Sequence, residues 1–149
     1  MFKKFLTAIV VSSLWLSGAA MAEGSQIKVG VIFDMSGPLA AGGSNASYLG
    51  TKYAIDLMNE RGGVEGHKIV PIYVDAQSKV EVAINETERL LNQEKVDVIM
   101  GVFSSAQCVP MAQRVDQAKK FMWANVCVSS AVFKDKNLKY VFRAQVHSD

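Results

Sequence analysis

The chain has 149 residues, half of them hydrophobic and a fifth charged, with 11 Gly, 3 Pro and 2 Cys. That is about one domain on a scale of roughly 100–200 residues per domain, and the balance excludes a disordered, collagen-like or disulfide-dense chain. The formal charge of +2 suggests a weakly basic protein, but the first residues account for all of it.

Met1 to Ala22 has the form of a cleavable secretory signal. Lys3 and Lys4 supply a positive start, Leu6 to Leu16 an apolar run, and Ala20-Met21-Ala22 a small-residue cleavage site. The run falls short of the roughly 20 apolar residues that span a bilayer. The segment is therefore expected to be removed and the protein to reach the periplasm. Cleavage takes away two lysines and no acidic residue, leaving 14 basic against 14 acidic side chains in the 127 residues from Glu23. The mature chain is neutral. No basic block or aromatic-basic interleaving remains, which argues against a nucleic-acid partner.

From Ile27 to Phe33 the sequence is β-rich and almost continuously apolar, as a strand covered on both faces should be. A loop is expected over Asp34–Gly43, where Ser36-Gly37-Pro38 and Gly42-Gly43 break regular structure. Leu49, Tyr53, Ala54, Leu57 and Met58 then recur at helical spacing, predicting a buried stripe. Gly62-Gly63 closes that helix, and Gly50 inside it suggests a close packing contact.

Ile69 to Val74 reads as a second strand, and Pro71, which cannot donate to a ladder, places it at a sheet edge. Ser78 and Glu81 have capping-box spacing ahead of a helix whose face is Val80, Ala83, Ile84, Thr87 and Leu91. A third strand, Val96–Met100, leads through the turn Gly101–Ser105 to a helix from about Ala106 to Lys119. Cys108, Met111, Ala112, Val115 and Ala118 form its apolar stripe, with Pro110 tolerable near the first turn. Phe121–Val128 and Tyr140–Arg143 are the last two strands. The alternation predicts an α/β, doubly wound parallel sheet with right-handed crossovers. Strand order 2-1-3-4-5 puts the Pro71 strand at the edge. The last residues, His147-Ser148-Asp149, follow a strand directly, and Ser148 or Asp149 could cap a further helix.

In such a sheet ligands bind at the carboxyl ends of the strands, which selects Asp34–Ser44, Gly101–Ala106 and Cys127–Ser130. The first has the spacing of a phosphate-binding loop, but Gly43 stands where a lysine must reach the phosphates. Neither Ser36 nor Ser105 has the glycine flanks of a nucleophile elbow. His67 lies in a glycine turn at the far end of the sheet and is expected to be exposed, and His147 is near the chain's end. A catalytic base, a metal cluster and a cofactor are thus unsupported. Cys108 and Cys127 lie toward the same edge, either bridged, as an exported protein allows, or separately buried. What remains is a set of small donors: Ser104 and Ser105 at a helix start that favours a carboxylate, facing Ser129 and Ser130.

Ile27-Lys28-Val29-Gly30-Val31 running into Met35-Ser36-Gly37-Pro38 resembles the opening of the periplasmic leucine/isoleucine/valine-binding protein family. The resemblance continues through Asn59 to Ile69, Val74 to Ser78, and Val98-Ile99-Met100-Gly101 with Ser104-Ser105. It implies one lobe, residues 23–149, of a two-lobed clamp that delivers a small solute to an ABC transporter permease. It also implies a ligand set of Ser36, Ser104, Ser105, Cys127 and Ser129, without a cofactor. Ser105 would take a ligand carboxylate through its hydroxyl and nearby amides, and Cys127 through its backbone and Ser129 through its hydroxyl would bind the amino and carboxylate groups; Val128 and Ser130 are neighbouring alternatives. The ligand class is a branched-chain or other amino acid, an amide or an aromatic acid. Ala76 and Ser104 stand where amino-acid binders of this family often carry a disulfide. Other readings are a small exported hydrolase, disfavoured for want of a nucleophile-base pair, and a sensor of the same fold. The second lobe, which carries further ligand contacts in the family, is absent from this sequence, so a lone lobe is expected to bind weakly.

Overall fold

The computed structural model describes residues 26–147. The expected signal segment and the Ser148–Asp149 cap lie outside them. Five parallel strands, β1 (Ile27–Phe33), β2 (Ile69–Asp75), β3 (Val98–Gly101), β4 (Phe121–Ala124) and β5 (Val141–Arg143), form one sheet in the order β2-β1-β3-β4-β5. Three helices cross between them: α1 (Asn45–Glu60), α2 (Val80–Asn92) and α3 (Ser105–Gln117). The doubly wound α/β order expected from the sequence is observed, and Pro71 lies on edge strand β2 opposite Val29.

Alternation along β1 feeds two cores. Val29, Val31 and Phe33 pack with Ile55 of α1 on one face. Ile32 joins Leu90, Ile99, Met111 and Met122 on the other, under α2 and α3. Gly30 also faces α2, and a Cβ there would stand 2.7 Å from Leu90 Cδ1, so a larger residue would require the Leu90 side chain to move. Gly62 and Gly63 end α1 with positive φ, and the Gly63 amide reaches back to the Met58 carbonyl, as a helix C-cap requires.

Four expectations need correction. The α1 stripe has the right period but the wrong phase: Thr51 and Ile55 are buried, whereas Tyr53 is 69% exposed and Leu49 54%. α1 leans on β1 and β2, where Tyr48 meets Tyr73 edge-on with centroids 5.4 Å apart. Nothing approaches within 4 Å of a Cβ at Gly50, so that glycine is not a packing contact. Ser78 and Glu81 make no capping box. Lys79 is the N-cap of α2, and Ser78 instead bonds the first loop. β4 stops at Ala124: the Asn125 amide still bonds the Gly101 carbonyl, but the Gly101 amide goes to the Asn125 side chain. Smaller shifts are that Ala118 is exposed beyond the end of α3, and that His67 is half-buried with its backbone paired to Val64.

The α1 face of the sheet is clothed only over β1 and β2. Register puts Val98 beside Phe121, Met100 beside Trp123, and Trp123 beside Phe142 on the same face. Phe121, Trp123 and Phe142 are each more than a third exposed, and the two phenylalanine rings stack at 4.8 Å. A cavity of about 420 Å³ separates this strip from α1, lined by Gly50, Ala54, Met100 and Trp123 among others. Parallel sheets are ordinarily covered on both faces, and a contiguous apolar strip favours association. Replacing Phe121 and Phe142 together by Thr keeps β-propensity and is expected to reduce self-association of residues 23–149 in sedimentation velocity. Unchanged self-association with a native circular dichroism spectrum would count against the strip as the adhesive surface.

Candidate ligand-binding cleft at the strand ends

The loops after β1, β2 and β3 meet around Asp34, which the sequence reading passed over. Asp34 is fully buried. Its amide donates to Ser44 Oγ at 2.8 Å, at the entry to α1. Its Oδ1 accepts from the Ser78 amide at 2.7 Å and from Gln107 Nε2 at 2.8 Å, in the first turn of α3. One carboxylate thus holds three crossovers in register. Gln107 is also buried, and Asp34 Oδ2 and Gln107 Oε1 have no protein partner. The sequence carried one signal for it: Gln107 sits in phase with Cys108, Met111 and Val115 on the buried face of α3.

A second brace forms at the cleft edge. Ser36 Oγ donates to Asp75 Oδ2 at 2.6 Å, and Asp75 Oδ1 accepts the amides of Met35, Ser36 and Gln77. Burial pushes the Asp75 carboxyl up, but the Ser36 hydroxyl and these three amides outweigh it and hold it below the ordinary carboxylate value. Gly37 closes the turn at φ +79°, and a Cβ there would lie 2.7 Å from Ser78 Oγ. Ser36, expected among ligand groups, donates its hydroxyl to this brace, and its exposed oxygen retains acceptor capacity. A π-type turn, Ala40–Ser44, then leads into α1.

Ser104, Ser105, Cys127 and Ser129 do come together. Ser104 is the extended N-cap of α3, and no side chain caps the helix's first turn. Ser105 opens α3, and its Oγ accepts the Ser129 amide at 3.2 Å. Ser129 Oγ in turn caps the short turn Ser130–Val132 by accepting the Ala131 amide at 3.2 Å. Cys108 and Cys127 are joined by a disulfide, with Cα atoms 6.1 Å apart, so the bridged alternative is the one observed. It ties the first turn of α3 to the segment after β4, across a sequence separation of 19. Arg143, unremarked in the sequence, donates from Nη1 to the Cys127 carbonyl at 3.3 Å and the Ser129 carbonyl at 2.9 Å. Among the described residues no group of His, Cys, Asp or Glu is placed to hold a metal, and no helix is long and apolar enough to cross a membrane. The arrangement offers neutral donors and a helix start, equipment for holding a small anion.

Small donors gathered beyond the carboxyl ends of the strands are the arrangement in which open α/β sheets hold ligands. The sequence pattern of the periplasmic binding protein family matches residues 26–149, and the chain belongs to that family. It is 35% identical to Leu/Ile/Val-binding protein homolog 7 of Brucella suis over 146 residues, 98% of this chain and 35% of the relative. An amino acid binding protein of Pseudomonas aeruginosa is 30% identical over 124 residues, 79% of this chain and 31% of the relative. The chain therefore spans about a third of the length of these curated relatives.

Solved structures agree. The branched-chain amino acid transporter substrate binding protein LivJ of Streptococcus pneumoniae, in complex with isoleucine, superposes with a TM-score of 0.76 at 26% identity, covering 83% of this chain and 34% of its own. A solute binding protein of Rhodopseudomonas palustris, in complex with 4-hydroxybenzoate, gives 0.68 at 29% identity, covering 83% and 32%.

Two consequences of this geometry are testable. Asp34→Ala strands the buried Gln107 carboxamide and removes the partner of the half-buried Ser78 amide. It is expected to lower unfolding free energy by about 2–4 kcal/mol in urea titration, and Asp34→Asn by less. A loss under about 0.5 kcal/mol for Asp34→Ala would contradict the hub. Asp75, with its folded value depressed, contributes stability that is present above its unfolded value and lost as pH falls through its folded value. Thermal melts should therefore show an acid destabilisation, setting in below about pH 4, that Asp75→Asn attenuates; an unchanged acid limb would refute the brace.

Proposed function

We propose that residues 23–149 form the ligand-binding lobe of an extracytoplasmic solute-binding protein serving an ABC importer, exported by the signal in residues 1–22. The lobe takes an amino acid or a related small carboxylate or amide against Ser105, Cys127 and Ser129, with Ser104 at the helix start. Its partner is the transporter's permease. The observation that carries this reading is the bond from the Ser129 amide to Ser105 Oγ, which joins two candidate ligand segments at the strand ends. Family membership and the relatives' printed roles support it, and the neighbour solved with 4-hydroxybenzoate keeps aromatic acids within the class.

The Ser105 and Ser129 hydroxyls and the free amides of the α3 start supply hydrogen bonds to a carboxylate, and the helix end supplies favourable charge. One lobe provides only part of the desolvation that holds a small ligand. Titrating ¹⁵N-labelled residues 23–149 with L-isoleucine, L-leucine and 4-hydroxybenzoate should shift the Ser105 and Ser129 amides. The dissociation constant should be weaker than about 0.1 mM. Ser105→Ala should abolish the shifts. No response at either serine up to about 20 mM of any of the three solutes would overturn the binding reading, and affinity tighter than about 10 µM would overturn the half-clamp energetics.

A further inference from the structure

β4 ends at Ala124, so the segment that follows has no ladder to hold its carbonyls. Two of those carbonyls, Cys127 and Ser129, converge on a single nitrogen, Arg143 Nη1. Arg143 is itself fixed at both ends. Its backbone is the last of β5, paired with Ala124 of β4, and its guanidinium lies 5.2 Å over the Phe133 ring. A planar, permanently charged group with donors and no acceptor is suited to such a clamp, and stacking sets its plane. On the far side of the same segment, the Ser129 amide meets Ser105 Oγ at 3.2 Å.

We propose that Arg143 is the positioning residue of the cleft, holding Cys127–Ser129 so that the Ser129 amide faces Ser105 and the two ligand segments stay in register. Its importance for binding rests on the solute-binding reading above, whereas its hold on the segment does not. Arg143 touches no ligand in this account; it acts through the two carbonyls. The Cys108–Cys127 bridge anchors one end of the segment covalently, which leaves the Ser129 end as the part that Arg143 controls.

The test compares residues 23–149 with Arg143→Ala and Arg143→Lys by amide hydrogen exchange and ligand titration. In Arg143→Ala, exchange of the Ser129 amide should accelerate about tenfold or more while amides of β1 and α2 keep wild-type protection, because the lost bonds are local. Arg143→Lys should recover part of the protection, since a point charge can reach a carbonyl but lacks the stacked plane. Affinity for L-isoleucine or 4-hydroxybenzoate should fall with Ser129 protection across the three proteins. Unchanged Ser129 exchange in Arg143→Ala overturns the proposal, as does acceleration spread over β1 and α2, which would make Arg143 a general stabiliser. Local loss at Ser129 in Arg143→Ala, together with a wild-type chain that binds none of the solutes, supports the positioning role and refutes the solute reading instead.

Discussion

A parallel sheet delivers its loops to one end, but it does not hold them together; each crossover leaves a strand and departs over a different face. In this lobe the burial of Asp34 supplies the missing constraint. A carboxylate withdrawn from water must find donors nearby, and those within reach are the Ser78 amide from the loop after β2 and the Gln107 carboxamide from α3, while its own amide binds Ser44 ahead of α1. The three loops are thereby pinned to one point. The Asp75 brace and the tight turn at Gly37 then shape the rim, and the position of the α3 start, with Ser104 and Ser105, follows from where Gln107 is held. Two acceptor oxygens of the hub remain without protein partners, so the geometry is maintained by the surrounding fold as much as it maintains it.

The architecture was legible because it rests on period and punctuation. β1 was readable to the residue from its continuous apolar run, and Pro71 located β2 at the edge before any coordinates did. Phase was harder to read. The Leu49–Met58 stripe on α1 is apolar, yet that helix leans on β1 and β2 with Thr51 and Ile55 buried while Leu49 and Tyr53 face outward. Sequence carries the period of a helix; which arc is covered depends on where the helix lies over the sheet. The Ser78–Glu81 spacing failed for a related reason. A local cap competed with two long-range bonds to the first loop, and the tertiary partners won.

For the cleft, the residues recognised in advance were those whose role is local or carried by the family resemblance: Ser105 and Ser129 do lie against each other. Those missed were the supporting shell. Asp34, Asp75, Gln107, Asn125 and Arg143 each make bonds to residues between 14 and 74 positions away along the chain, and no spacing rule reports such pairs. The disulfide lay between these cases. Both cysteines could be assigned to one edge of the sheet, but whether their Cα atoms come within bridging distance depends on how α3 lies on β4. At 6.1 Å they do, and the bridge joins two segments of the candidate site.

The two segments of the candidate cleft satisfy each other, and on the proposed reading this bears on what they select. Ser129's amide already donates to Ser105 Oγ, and Ser129's own hydroxyl already accepts from Ala131. A ligand that offers only neutral acceptors would exchange one ordinary hydrogen bond for another and gain little, since a neutral intramolecular bond is worth about 0.5–1.5 kcal/mol net. A carboxylate exchanges it for a charge-assisted bond of roughly twice the strength and adds the interaction with the uncapped start of α3. The internal bond thus works as a threshold. It keeps the two segments ordered, through Arg143 on one side and Ser105 on the other, and on the proposed reading it favours anions over neutral molecules of the same size.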